Sequence, residues 1–226
     1  MKRLKFREGN IYHIYNRGVE KRTVFLGEKD YRRFIYGLHE FNNEQPATNI
    51  YRLSLSDPSL FEVRLQTKRK SLVEILTFCL MPNHYHLMIR ALSEHGITEF
   101  MRKLGTGYTN YFNLKYQRVG PLFQGKFKAA LLEKEPHFIY LPYYIHFNPL
   151  ELAPAPKNKS TGDLDKFLRS YRWSSHLDYL GISNFPIITQ RDFLLDYIGG
   201  PDQYEKNVVK MLKERNFSDI QEALLD

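Results

Sequence analysis

A pair of histidines two residues apart carries the clearest chemical signal in the chain. His84 and His86 lie in the run Met-Pro-Asn-His-Tyr-His-Leu-Met-Ile, whose apolar residues predict a β-strand. Because strand side chains alternate between faces, both imidazoles should project from one face, close enough to share a cation. Chance also produces this spacing in a chain with eight histidines, so two polar residues at a strand start are the alternative. His13, on another predicted strand, is either a support for the pair or an ordinary structural histidine.

A second signal lies in a helix predicted to begin near Pro136. Tyr144 and Asn148 are four residues apart, which puts both side chains on one helical face. A tyrosine hydroxyl can act as a covalent nucleophile, and an amide oxygen can complete a hard-metal site begun by two imidazoles. Tyr140 and Tyr143 are rival nucleophiles, and core packing is the alternative role for all three tyrosines.

Charge and aromatic residues are unevenly distributed. The chain has 33 Lys and Arg against 25 Asp and Glu, a net charge of +8 that favours polyanionic partners. Residues 100–132 contain six Lys or Arg, seven aromatics and no acid. Cations neutralise phosphates and aromatic rings stack on unpaired bases, so this segment is a candidate for binding single strands. A solvated helix face over a Tyr/Phe core is the alternative.

A glycine-rich stretch, residues 120–126, fits the first seven positions of a phosphate-binding loop. Phe127 follows where such a loop needs a serine or threonine to hold magnesium, and the flanking helix and strand patterns stand in the wrong order. Gly105-Thr-Gly107 lacks the third glycine of a dinucleotide-binding fingerprint. We therefore expect no nucleotide cofactor, neither ATP nor NAD.

The composition also bears on the compartment. A single cysteine, Cys79, excludes an intramolecular disulfide framework and is typical of a reducing environment. No apolar run approaches the ~18 residues of a membrane span, and the basic residues 1–7 are not followed by a hydrophobic segment. We expect a cytoplasmic protein with no membrane association.

Hydrophobic periodicity predicts an α+β fold of one sheet domain followed by helices. Strands are predicted at 11–16, 72–80, 84–91 and 125–133, and helices at 29–42, 97–116, 136–147, 164–180, 190–198 and 202–215. The strands at 72–80 and 84–91 are apolar on both faces, which favours central positions in the sheet. Residues 42–71 are irregular and predict an insertion.

Six stretches in this order resemble the small single-tyrosine transposases of the HUH superfamily, in particular the REP-associated tyrosine transposase branch. They are Tyr12-His-Ile-Tyr-Asn-Arg-Gly18, Cys79-Leu-Met-Pro-Asn-His-Tyr-His-Leu87, Gly107-Tyr-Thr-Asn-Tyr-Phe-Asn113, Leu122-Phe-Gln-Gly-Lys-Phe-Lys128, Tyr144-Ile-His-Phe-Asn-Pro149 and Trp173-Ser-Ser175. The resemblance implies a central antiparallel sheet flanked by helices, in a ferredoxin-like arrangement. It divides the chain into a catalytic domain at 8–150, with the insertion at about 42–71, and a linker with a helical C-terminal extension at 151–226.

The resemblance also implies site residues and a reaction. His84, His86 and Asn148 would bind a divalent metal, Mg²⁺ or Mn²⁺, and Tyr144 would be the nucleophile. The substrate would be single-stranded DNA beside an imperfect hairpin. Cleavage would leave a 5′-phosphotyrosine and a free 3′-hydroxyl, and this retained bond energy allows strand transfer without ATP.

Further residues are expected to contact the DNA. Backbone contacts are assigned to Arg17, Lys126 and Lys128, and base stacking or core packing to Tyr108, Tyr111 and Phe123. Two other functions are open: a domesticated, non-catalytic hairpin-binding protein, and a zinc hydrolase that would need a further His, Asp or Glu ligand. The sequence leaves monomer and homodimer equally open.

Overall fold

The structure, a computed structural model, describes residues 4–45, 70–133 and 135–214. Most of the insertion expected at 42–71 lies outside these residues. Within the described ranges, no helix combines the length and apolar character that crossing a membrane requires.

Within the part of the chain that the structure describes, four antiparallel strands form the centre of the molecule. They are β1 (Ile11–Arg17), β2 (Val73–Met81), β3 (His84–Ala91) and β4 (Lys128–Leu131), in the spatial order β2-β3-β1-β4. Pro82 and Asn83 form the tight turn between β2 and β3, as the sequence predicts. The expected α+β class, with an antiparallel sheet between helices, is confirmed.

Alternation along β3 assigns each side chain to one of two cores. Tyr85, Leu87 and Ile89 point into a core that α1 (Glu28–Glu40) and α2 (Gly96–Lys115) cover. The residues between them, His84, His86 and Met88, therefore lie on the opposite face. Five helices line that face: α3 (Glu135–Phe147), α4 (Thr161–Ser170), α5 (His176–Tyr179), α6 (Asp192–Ile198) and α7 (Gly200–Glu214).

The strand β2 lies at the edge of the sheet, so its predicted central position is wrong. Main-chain groups of a later segment cover its outer edge: Leu80 N donates to Trp173 O at 2.9 Å and Ser175 N donates to Phe78 O at 3.0 Å. An apolar pattern on both faces reports packing above and below a strand, and β2 is packed on both faces. The pattern carries no information on which strand or loop lies alongside it.

The same covering segment divides a predicted helix. The sequence predicts one helix at 164–180, whereas α4 ends at Ser170 and α5 begins at His176. Residues between them follow the edge of β2, and the Tyr171 hydroxyl donates to Leu80 O at 2.6 Å. Hydrogen bonds to the sheet edge have replaced the helical ones there.

The C-terminal helices share a core with the sheet. Leu164 of α4 and Val208 and Leu212 of α7 are buried in the same cluster as Leu76 of β2 and Leu141 of α3. Two short 3-10 turns, Asn148–Leu152 and Pro156–Asn158, connect α3 to α4. The segment after α3 thus helps to fix the position of that helix.

Candidate active site

The two histidines of the His-Tyr-His motif lie on one face of β3, as strand alternation predicts. The ring centroids of His84 and His86 are 5.1 Å apart, with the ring planes nearly perpendicular. The register places His86 opposite Tyr15 of β1, and the two rings stack with centroids 5.7 Å apart. The imidazoles therefore lie side by side, on the sheet face that α3 covers.

The helix α3 and the 3-10 turn that follows it bring the predicted tyrosine and asparagine to the same place. The ring of Tyr144 meets the ring of His86 edge to face, with centroids 5.7 Å apart. Asn148 lies close enough to His84 for its side chain to raise the pKa of that imidazole. Asn148 Nδ2 donates to Tyr144 O at 2.8 Å, which leaves the amide oxygen to face the histidine. Two distant segments thus converge on one site.

The rival tyrosines have other surroundings. Tyr143 is fully buried, and its hydroxyl accepts a hydrogen bond from Asn207 Nδ2 at 2.9 Å in the C-terminal core. Tyr140 is 43% exposed. Of the three tyrosines, Tyr144 is the one in ring contact with the histidine pair.

Burial sets the protonation of these groups. It lowers the pKa of His84 to about 4; the Asn148 side chain acts against this shift and the nearby Arg17 charge adds to it. Burial also holds the pKa of His86 well below its ordinary value, and the neighbouring His13 and His84 act in the same direction. Both rings are therefore neutral near pH 7, the form that binds metals. Burial, with the charge of Glu151 next, raises the pKa of Tyr144, which is a phenol at neutral pH.

The donor set fits a divalent cation. His84 Nδ1 is 2.6 Å from Asn83 Oδ1, so its Nε2 is the nitrogen available for a ligand. His86 Nδ1 is 2.8 Å from His13 Nε2, which likewise leaves His86 Nε2. Two imidazole nitrogens and the Asn148 amide oxygen would form an incomplete coordination shell, leaving positions for phosphate oxygens. Across residues 4–45, 70–133 and 135–214, no three His, Cys, Asp or Glu side chains are grouped to hold a metal, so these residues do not provide the further ligand that the zinc alternative needs.

The predicted cations lie near this site. Arg17 ends β1 opposite His84. Lys126 lies just before β4 and Lys128 is the first residue of that strand. All three side chains are exposed. The ammonium of Lys128 is 5.9 Å from the ring centroid of Tyr15. A basic rim therefore follows the β1–β4 side of the site.

The aromatic residues expected to stack on bases or pack in the core lie on the other side of the sheet. Tyr108 and Phe123 are 1% and 7% exposed in the α1–α2 core, and the Tyr108 hydroxyl donates to Val24 O at 2.6 Å. The Tyr111 hydroxyl donates to Asp30 Oδ1 at 2.9 Å. These contacts are those of the core-packing role, since base stacking by Tyr108 or Phe123 would require that core to open.

Two residues that contact the site were not predicted from the sequence. Tyr15 stacks on His86, and Asn83 hydrogen-bonds to His84. A signal for Tyr15 existed: it is two residues from both His13 and Arg17, so strand alternation places all three on one face. Nothing in the pattern distinguishes Asn83 from an ordinary turn asparagine.

Comparisons with known proteins give a family match and a structural match. The family model described as IS200-like transposase matches residues 48–148. The structure of a REP-associated tyrosine transposase bound to a REP hairpin has the same fold, with a TM-score of 0.52 and 12% identity over 83% of this chain and 88% of that chain. Curated protein sequences give no match. The family match contains the His84–His86 pair and the Tyr144–Asn148 pair, so the part of the chain that carries the candidate site is similar to IS200-like transposases.

Proposed function

We propose that this protein cleaves single-stranded DNA beside a hairpin and transfers the strand through a 5′-phosphotyrosine on Tyr144. The observation that carries the proposal is the convergence of Tyr144, from α3, and Asn148, from the turn that follows it, on His84 and His86 of β3. A hairpin is the proposed partner because the structural neighbour is a transposase bound to one.

Each residue has a distinct part in the reaction. His84, His86 and Asn148 would hold a divalent cation, Mg²⁺ or Mn²⁺, which when bound supplies Lewis-acid polarisation of the scissile phosphate. The Tyr144 oxygen attacks phosphorus, the bond from phosphorus to the 3′ oxygen breaks, and the phenol proton is released as the 3′-hydroxyl forms. Because one phosphodiester replaces another, a second 3′-hydroxyl can reverse the step and join strands without ATP.

The surroundings of Tyr144 support this assignment. Its ring is held against the faces of two imidazoles, with centroids 5.7 Å from His86 and 5.8 Å from His13. A positioned nucleophile avoids much of the entropic cost of bringing two reactants together. The raised pKa of the phenol means that positive charge at the site is needed to ease loss of its proton.

The test is an adduct assay with a single-stranded hairpin DNA in Mg²⁺ or Mn²⁺. We expect a covalent protein–DNA species that survives denaturing electrophoresis, disappears with EDTA and disappears in Tyr144→Phe. Tyr140→Phe, at an exposed position one turn earlier, is the matched control and should keep the adduct.

Other results would contradict the proposal. An adduct that survives Tyr144→Phe places the nucleophile elsewhere. Tight, salt-sensitive hairpin binding with no adduct in either metal would instead assign a non-catalytic binding role. Cleavage without an adduct would assign a water nucleophile.

A further inference from the structure

A third histidine is in direct contact with the proposed metal site. His13 lies on β1 next to β3, and its Nε2 is 2.8 Å from Nδ1 of His86. Both side chains are 7% exposed, and their ring planes differ by 21°. Tyr15 and Tyr144 also touch the His13 ring, with centroids 5.0 and 5.8 Å away, so the imidazole is held in place from two sides.

A hydrogen bond between two nitrogens contains one proton, and its location decides which nitrogen of His86 can bind a cation. If the proton is on His86 Nδ1, neutral His86 has a bare Nε2 with a free lone pair. If the proton is on His13 Nε2, then His86 Nδ1 is the acceptor and His86 Nε2 is protonated. In the second arrangement neither nitrogen of His86 can bind metal without breaking the contact.

We propose that His13 is a positioning residue that accepts the Nδ1 proton of His86 and so holds the His86 Nε2 lone pair toward the cation. The inference rests on the proposed function, because it assigns His86 as a metal ligand. Metal-binding histidines generally donate their second N–H to a fixed acceptor, which sets both tautomer and ring orientation. Here the acceptor is a second imidazole, supplied by the neighbouring strand.

Metal binding by two variants tests the proposal without relying on DNA cleavage. His13→Gln places a carboxamide oxygen at about the reach of Nε2, whereas His13→Leu has a similar volume and no acceptor. In the full-length protein without DNA, Mn²⁺ affinity measured by calorimetry should fall roughly 10- to 100-fold in His13→Leu, the usual effect of losing such a contact. His13→Gln should recover most of that affinity. Thermal unfolding in EDTA checks that both variants fold.

The outcomes distinguish a failure of this inference from a failure of the proposed function. Wild-type Mn²⁺ affinity in folded His13→Leu would limit His13 to packing and leave the proposed function standing. If the wild type itself binds no Mn²⁺ through His84 and His86, both proposals fall. Should His13→Leu not fold, the ¹⁵N resonances of His86 in the metal-free wild type decide the matter: a protonated Nδ1 is expected, and a protonated Nε2 would overturn the inference.

Discussion

The surroundings of a side chain decide whether it can do chemistry, as the cations around this site illustrate. Arg17, Lys126 and Lys128 are exposed beside the histidines, whereas Lys115 is tied to the buried carboxylate of Asp30 on the other side of the sheet. A lysine already paired with a buried carboxylate is a poor phosphate contact, because releasing it leaves that carboxylate uncompensated. The three exposed cations are therefore the ones we assign to the DNA backbone.

This assignment predicts a change in salt dependence. Substituting Arg17, Lys126 or Lys128 by alanine should weaken hairpin binding, and each loss should reduce the slope of log affinity against log salt by about 0.7 to 1. Fluorescence anisotropy with a labelled hairpin across a salt series measures both effects. Lys210→Ala, at an exposed position on α7, is the control. An unchanged slope in all three variants would remove these residues from the DNA interface.

At the scale of elements, the helix that carries Tyr144 is held by the C-terminal helices on both sides of that residue. The Tyr143 ring stacks on Tyr204 of α7, with centroids 5.1 Å apart and planes 11° apart. The Tyr204 hydroxyl is 2.6 Å from His146 Nδ1 and 2.9 Å from His176 Nδ1. The residues on either side of Tyr144 thus fix the helix, which turns Tyr144 toward the sheet.

Removing one oxygen atom tests this arrangement. Tyr204→Phe keeps the stacked ring and deprives two buried imidazoles of a hydrogen-bond partner, at a cost of about 1–3 kcal/mol in the free energy of unfolding. Urea denaturation measures the loss, and Tyr140→Phe, which is partly exposed, should stay within about 0.5 kcal/mol of the wild type. Equal stability of Tyr204→Phe and the wild type would show that the hydroxyl contacts do not secure α3.

Elements with a clear period could be predicted from the sequence, and their neighbours could not. The alternation around His84 predicted β3 with the ends it has, and the four-residue spacing placed Tyr144 and Asn148 on one face. The contact of His13 with His86 depends on the register between β1 and β3, which neither strand encodes by itself. For the same reason an amphipathic stripe containing Tyr108 predicted a covered face without saying whether protein or DNA covers it.

At the scale of the whole molecule, the sheet has a hydrophobic core on one face and the candidate site on the other. The α1–α2 side is a hydrophobic core, whereas the opposite side combines the site with a core built by the C-terminal helices. That second layer also buries an unusual number of imidazoles. Burial lowers the pKa of five histidines in it: His13, His84, His86, His146 and His176.

These buried histidines predict an acid-sensitive fold. The pKa of His176 falls from 6.5 to about 4 on folding, so between those values the unfolded chain binds a proton that the folded one does not. Above about pH 6.5 this group leaves the free energy of unfolding unchanged. As the pH falls toward 4 it lowers that free energy, by on the order of 3 kcal/mol for one such group. Urea unfolding at pH 7.5, 6 and 5 should show a falling free energy of unfolding.

A matched pair of variants identifies the source of that slope. His176→Gln should make stability less dependent on pH, whereas His95→Gln, at an exposed position, should leave the dependence unchanged. Wild-type stability that stays constant from pH 7.5 to 5 would contradict the assignment of neutral, buried imidazoles.

The proposed function depends most on His84, His86 and Asn148 sharing one cation beside Tyr144. Crystals of Tyr144→Phe grown with a hairpin DNA and Mn²⁺, and measured at a wavelength where manganese scatters anomalously, locate that ion directly. We predict one anomalous peak within coordination distance of all three side chains and of a phosphate oxygen. A peak bound by other residues, or none at these three in crystals that contain the DNA, would contradict the account.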